Sequence, residues 1–214
     1  GGRARAAGPP RDGAARFKLS AVSIDAAATI LTPDDIMAGA QPSGHFVLYD
    51  DDHYYMGGVL AELLVAAGCR VTFVTPAAEV SSWTRFTLEQ TRIQRRLLEL
   101  GVEIVPHRGL TAISAGGVET ECVFVGTRSE ISCDAVLLVT ARLPQEQLYL
   151  DLMSRRQEWA DAGVQAVDSI GDARAPATIA HAVYAGHRYA QDLDGPDHGD
   201  DPPFRREIVL PAEA

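Results

Sequence analysis

The stretch HFVLYDDDHYYMGGVLAELLVAAGCRVTFVT, residues 45–75, decides the fold. HFVLYD is a short apolar run, read as a strand. From Gly57 to Ala67 the apolar residues recur at helical spacing, with Leu60, Leu63 and Leu64 on one face, and RVTFVT is a second β-rich run. Strand, helix and strand in that order form a βαβ unit, whose right-handed crossover implies a parallel, doubly wound α/β sheet.

Working outward, residues 84–100 are expected to form a second helix, with Phe86, Ile93, Leu97 and Leu100 at helical spacing and Gly101 ending it. VEIVP supplies a third strand. The period then drops to two. Residues 110–114, the turn Gly116-Gly117, residues 118–125 and residues 130–133 read as an antiparallel meander, and AVLLVT (135–140) returns to the sheet. The last third reads as a polar helix over about residues 145–160, a short strand over 164–170 and a helix opening at Pro176 and running toward Asp192. Upstream, LTPDDIMAG (31–39) carries Thr32 as N-cap, Pro33 at the first helical position and Asp34 and Asp35 in the first turn. The opening GGRARAAGPPRDGAAR has no hydrophobic period and reads as a loop or a fragment end, and DLDGPDHGDDPP near the other terminus as an acidic tail.

The 214 residues, at roughly 150 per domain, give about 1.4 domains, one large or two small. With 46% apolar and 22% charged residues the composition is ordinary globular. A net charge of −10 argues against a nucleic-acid partner, which needs a positive footprint, and against an anionic membrane surface. No window approaches the roughly 18 apolar residues of a membrane span, and the expected compartment is the cytoplasm. Cys69, Cys122 and Cys133 contain no C-x-x-C, so these cysteines alone offer neither a zinc site nor an iron–sulfur cluster. They are expected to be ordinary thiols.

The order βαβαβ, meander, strand, then a Gly-Asp and a helix resembles the pyridine-nucleotide domain of flavoproteins with two dinucleotide-binding domains, followed by the closing segment of their FAD domain. More narrowly, residues 47–75, WTRFTLEQTRIQRRLLELGVE (83–103), LLVTARLP (137–144) and IGDARAPATIAHAVYAGHRYA (170–190) resemble the C-terminal region of trimethylamine and histamine dehydrogenases, in the old-yellow-enzyme-related NADH:flavin oxidoreductases. The resemblance implies a Rossmann-like FAD/NAD(P)-binding α/β fold with part of a split FAD-like domain. It divides the chain into residues 1–44, a remnant of that split FAD- or ADP-binding domain in which RDGAARF (11–17) takes part; residues 45–141, an NAD(P)-binding-like lobe; and residues 142–214, the closing segment with the acidic tail. It also implies an upstream TIM barrel holding FMN and a 4Fe-4S cluster, a homo-oligomer, and an electron-transfer flavoprotein as partner.

No G-x-G-x-x-G follows any expected strand. Laid on the turn after HFVLYD, that fingerprint puts Asp50, Asp52 and Tyr55 where its three glycines belong. Side chains there obstruct the backbone's approach to a diphosphate, and two carboxylates repel it by about 1 kcal/mol per pair at 4 Å in water. NAD(P) is therefore not expected at this turn. Thr75-Pro76, at the end of the second strand, offers neither an acid for a ribose diol nor an Arg for a 2′-phosphate. The plainer reading of the Asp run is a set of anions complementing a helix N-terminus, with His53, Tyr54 and Tyr55 as packing residues.

Gly171 and Asp172, ahead of a helix, are where the resemblance implies contact with the ribose–diphosphate part of ADP or FAD, with Asp172 the leading contact and Ala173 and residues 176–180 as the wall; the plainer alternative for Asp172 is that helix's N-cap. Thr140 and Ala141 stand where the family has a glycine-bearing turn. His181 and His187, six apart, lie on different faces and cannot chelate one metal, and Trp83 and Trp159 read as packing anchors. No catalytic constellation and no metal site emerges. The expected function is the structural ADP- or FAD-holding portion of a flavin-dependent amine or N-methyl-amine oxidoreductase, inactive alone. The alternatives are a working FAD/NAD(P)H reductase arm like that of 2,4-dienoyl-CoA reductase, and a cofactor-free interaction module.

Overall fold

The computed structural model describes residues 3–4 and 22–193. RDGAARF and the acidic tail beyond Leu193 lie outside the described residues. The chain forms two compact units that meet in sequence between Leu143 and Pro144.

The first unit is a mixed α/β layer structure. A five-stranded parallel sheet has the order β3-β10-β4-β5-β6, with β3 at Ile30–Leu31, β4 at His45–Asp50, β5 at Arg70–Val74, β6 at Glu103–Val105 and β10 at Ala135–Val139. A second sheet, β2-β7-β8-β9, is built from Ser23–Ile24, Arg108–Ser114, Gly117–Cys122 and Arg128–Ser132, the last three antiparallel as the period-two pattern requires. β1 (Arg3–Ala4) pairs antiparallel with β11 (Arg142–Leu143). Residues 22–31 thus contribute strands to both larger sheets, and no break in this unit falls at residue 44.

The unbroken apolar runs have a simple cause, because the parallel sheet is covered on both faces. Phe46 and Leu48 of β4, Val71 and Phe73 of β5, and Leu137 and Val139 of β10 pack with Leu60, Ala61 and Leu64 of helix α2 (Tyr55–Ala66) and Leu97 of α3 (Gln90–Glu99). The alternate residues Val47, Tyr49, Val74, Val136 and Leu138 pack with Leu110, Ile113 and Val118 of the meander. Leu63, expected on the buried face of α2, is 41% exposed, and the inward stripe is Leu60, Ala61 and Leu64.

The helix expected over residues 84–100 is two elements, a 3-10 turn at Ser82–Arg85 and then α3. Ser81 (φ +50°) and Leu88 (φ +62°) are both left-handed, so the chain is redirected twice and Phe86, outside α3, is 82% exposed. Ile93 and Leu97 do face inward.

Helix α1 (Pro33–Met37) has the expected cap. The Thr32 hydroxyl accepts the Asp35 N–H at 3.4 Å and the Asp35 carboxylate accepts the Thr32 N–H at 2.8 Å, a reciprocal box, and the Thr32 hydroxyl donating to that carboxylate at 2.7 Å, with the Thr32 N–H, lowers the Asp35 pKa. A five-residue helix has little stability of its own. Thr32→Ala is expected to cost about 1 kcal/mol, read as a lower urea midpoint with unchanged m-value.

The second unit, from Pro144, holds α4 (Gln147–Ser154), a 3-10 turn at Arg156–Glu158, another at Gly171–Ala173, and α5 (Ile179–Asp192). The strand expected over residues 164–170 is absent, since no strand pairs with it among the described residues. The polar helix is shorter than residues 145–160. α5 opens at Ile179 with Thr178 as N-cap rather than at Pro176.

Candidate functional site

In a parallel sheet, ligands sit beyond the carboxyl ends of the strands where the connection direction reverses. β4 lies at that point, with β10 on one side and β5 on the other. The turn leaving β4 is closed by the Asp51 N–H donating to the Val139 carbonyl at 2.9 Å. Asp50, the last residue of β4, has no exposed surface. Its Oδ1 accepts the backbone N–H groups of Asp52 (3.3 Å) and His53 (3.2 Å), while its Oδ2 has no hydrogen-bond partner among the described residues.

Burial outweighs the neighbouring His53 and the two backbone N–H groups, and it pushes the Asp50 carboxyl up to about 7. Asp52 lies 3.5 Å from the Arg142 guanidinium. His53 (φ +60°) is placed with Nε2 3.3 Å from Asp51 and Nδ1 3.5 Å from the Thr75 hydroxyl. Burial pulls His53 down, but Asp51, Asp50 and Asp52 together hold it above the ordinary histidine value. The carboxylates of the turn are therefore neutralised or paired, and the electrostatic repulsion expected of them is muted. What the turn presents is bulk.

The glycine register needs correction. Tyr55 does not occupy the close-packed third position; it is the first residue of α2, and its hydroxyl points outward, donating to the Glu89 carboxylate with the Thr87 hydroxyl 3.1 Å away. The close approach is at Gly57, where a Cβ would lie 2.8 Å from Asp50 Cγ and 3.0 Å from Phe73 Cζ. The Asp run does not enter the helix either, as the first turn of α2 carries no acid and Tyr54, the N-cap, makes no side-chain capping bond. The signal that was available is the Gly57-Gly58 pair inside a helical pattern, which calls for a packing reason. Thr140 is buried at the end of β10, and Ala141 is exposed.

In the second unit, Gly171 is left-handed (φ +57°) and Asp172 is exposed, its Oδ1 accepting the Ala177 N–H at 3.3 Å. Asp172 lies six residues before Thr178 and is not the N-cap of α5. The Thr178 hydroxyl is engaged with His181 Nδ1 at 2.8 Å, so no side chain caps α5, and its first turn contains no acid. His187 Nε2 is bonded separately to Gln191. Trp159 Nε1 donates to the Leu152 carbonyl, and Trp83 is half-exposed beside Phe86.

Cys69 and Cys133 are buried and Cys122 is half-buried, all unbridged. Among the described residues no cluster of three or more His, Cys, Asp or Glu could hold a metal ion, and no helix is long and apolar enough to cross a membrane.

Residues 31–134 match the model of the OYE-like second alpha/beta domain. The chain is 32% identical over 197 residues to dimethylamine dehydrogenase of Hyphomicrobium sp. (strain x), covering 83% of this chain and 27% of that protein. Histamine dehydrogenase of Rhizobium sp. 4-9 superposes with a TM-score of 0.87 at 55% identity, covering 95% of this chain and 32% of that one. The 6-hydroxypseudooxynicotine amine oxidase of Pseudomonas geniculata N1 gives 0.69 at 38% identity, covering 74% and 24%. The chain thus spans about a quarter to a third of the length of these relatives. With that domain and these identities, the chain belongs to the trimethylamine dehydrogenase-like family and is homologous to dimethylamine dehydrogenase and histamine dehydrogenase.

Proposed function

We propose that this chain is the nucleotide-holding scaffold of a flavin-dependent amine oxidoreductase, with its NAD(P)-like lobe closed to coenzyme. The observation that carries the reading is the turn after β4. The buried Asp50 side chain fills the space between the loop amides and Gly57. NAD(P) does not fit such a turn, because its diphosphate needs that same approach to the backbone.

ADP, or the ADP part of FAD, fits the second unit better. There Gly171, Asp172 and Ala173 would line the ribose and diphosphate, with the uncapped, acid-free start of α5 favouring phosphate. Thr140 and Ala141 are the further candidates in the first unit. ADP supplies no chemistry of its own; it would stabilise the folded chain by mass action. The names of the relatives support an amine substrate, to be oxidised at an FMN held with a 4Fe-4S cluster in a barrel of the longer protein. A second copy and an electron-transfer flavoprotein are the proposed partners, and the cytoplasm the proposed compartment.

Rapid mixing of the full-length enzyme with NADH and NADPH is the test. Flavin absorbance is expected to stay unchanged, and heat-denatured protein to release ADP or FAD into the supernatant. Bleaching by either reduced coenzyme would establish a reductase arm instead, and a supernatant free of nucleotide would leave an interaction module.

A further inference from the structure

Asp50 is a buried carboxyl at the one place in a nucleotide fold where a buried acid is least expected. At the strand-to-helix turn of a dinucleotide site, loop amides and the first turn of the helix point at a diphosphate. Here the amides of Asp52 and His53 point at Asp50 Oδ1 instead, and the helix that follows has twelve residues and no side-chain cap. Asp50 Cγ would lie 2.8 Å from a Cβ on Gly57, so the carboxyl is pressed against the start of α2. Its second oxygen, fully buried, has no hydrogen-bond partner among the described residues. The other two acids of the turn are committed elsewhere, Asp51 to His53 and Asp52 to Arg142.

We propose that Asp50 is a built-in ligand: its carboxyl occupies the anion seat of this turn, and the turn remains an oxyanion site for a phosphate or diphosphate group once that carboxyl is removed. The carboxyl, driven toward neutrality by its burial, excludes a free anion by filling the seat, where its own backbone holds it at high effective concentration. It also satisfies the loop amides that would otherwise be left unpaired at the strand end. Around the seat, His53 is paired with Asp51 and Arg142 with Asp52, contacts that do not run through the Asp50 carboxyl. The inference rests on the reading of this lobe as closed to coenzyme and deepens it, by naming the side chain that closes it.

The full chain is titrated with inorganic pyrophosphate at neutral pH and binding is read by calorimetry. Wild type registers any other anion site, so the comparison reads the difference. Asp50→Ala is expected to bind pyrophosphate about tenfold more tightly than wild type, the scale of one charge-assisted hydrogen bond. Asp50→Asn, which keeps the seat filled, is expected to behave as wild type, and Asp52→Ala, which only unpairs Arg142 at the rim, to gain clearly less than Asp50→Ala. No gain in Asp50→Ala, or an equal gain in Asp52→Ala, overturns the proposal.

Should Asp50→Ala fail to fold, amide exchange on wild type decides. Protection of the Asp52 and His53 amides matching that of β4 is expected, and exchange at the rate of an open loop overturns it. If wild type itself seats NADH over residues 50–55, the reading of the lobe falls with the inference. If wild type excludes NADH and Asp50→Ala gains nothing, the inference falls alone.

Discussion

Replacing Asp50 with Asn is expected to stabilise the fold by about 2–4 kcal/mol at pH 8 and by almost nothing at pH 4. The cause is the buried carboxyl, whose pKa in the folded state is pushed up to about 7 by desolvation. For an acid whose folded pKa lies above its unfolded value, the two states titrate alike below pH 4. Between the two values the unfolded chain has lost the proton and the folded chain retains it, so stability falls as pH rises; above about 7 the loss is complete. A difference of about three units corresponds to about 4 kcal/mol at most. Asp50 has no exposed surface, so solvent screening does not reduce this.

His53, also raised, acts in the same direction, since its contribution is present at low pH and is lost as pH rises through its folded pKa. Asp50→Asn therefore removes most of the slope and leaves the histidine part. Urea midpoints between pH 4 and pH 8 check this. Curves of wild type and variant that run parallel would show that Asp50 carries no such burden.

The parts of the fold readable from sequence are those where one physical cause acts alone. β10 and residues 46–49 of β4 are apolar because helices cover one face and the meander the other, and no competing pattern disguises them. The capping box at Thr32 is local chemistry within four residues. The stretch 81–89 was not readable, because the left-handed bends at Ser81 and Leu88 use residues that carry no glycine signal. Ser81, fully buried, is held by its neighbours. Thr84 donates to the Ser81 carbonyl, and the Trp83 N–H donates to His53. Residues 164–170 have strand-like composition but no strand pairs with them among the described residues, which no local pattern reveals.

The turn after β4 was read in part. That its acids are incompatible with glycine's role follows from residue type, but their individual states do not. Asp50 is buried and driven toward neutrality, Asp51 faces His53 and Asp52 faces Arg142, ninety residues away in sequence. The register failed for a countable reason. In G-x-G-x-x-G the third glycine follows the first by five positions, whereas Gly57 follows Asp50 by seven, so the turn is two residues longer than the fingerprint allows. The extra length accommodates the left-handed His53 and the Asp50 side chain beneath it.

The same geometry sets apart two adjacent glycines that sequence alone cannot distinguish. Gly57→Ala is expected to destabilise the chain by about 2 kcal/mol or more, and Gly58→Ala to leave stability within about 1 kcal/mol of wild type. In isolation each substitution should stabilise a helix, since Ala exceeds Gly in helix propensity by about 1 kcal/mol. At Gly57 the new methyl would meet Asp50 Cγ at 2.8 Å and Phe73 Cζ at 3.0 Å. Neither neighbour can yield cheaply, because Phe73 is fully buried in the sheet and Asp50 is pinned by two backbone N–H groups. At Gly58 the methyl meets Ile93 Cγ2 at 3.1 Å, the end of a partly buried side chain on a separate helix that can shift by tenths of an ångström. Equilibrium unfolding of the two variants at one pH separates them. Equal effects would mean that the close approach of α2 to the end of β4 is not at Gly57, and the carboxyl of Asp50 would then have no wall to press against.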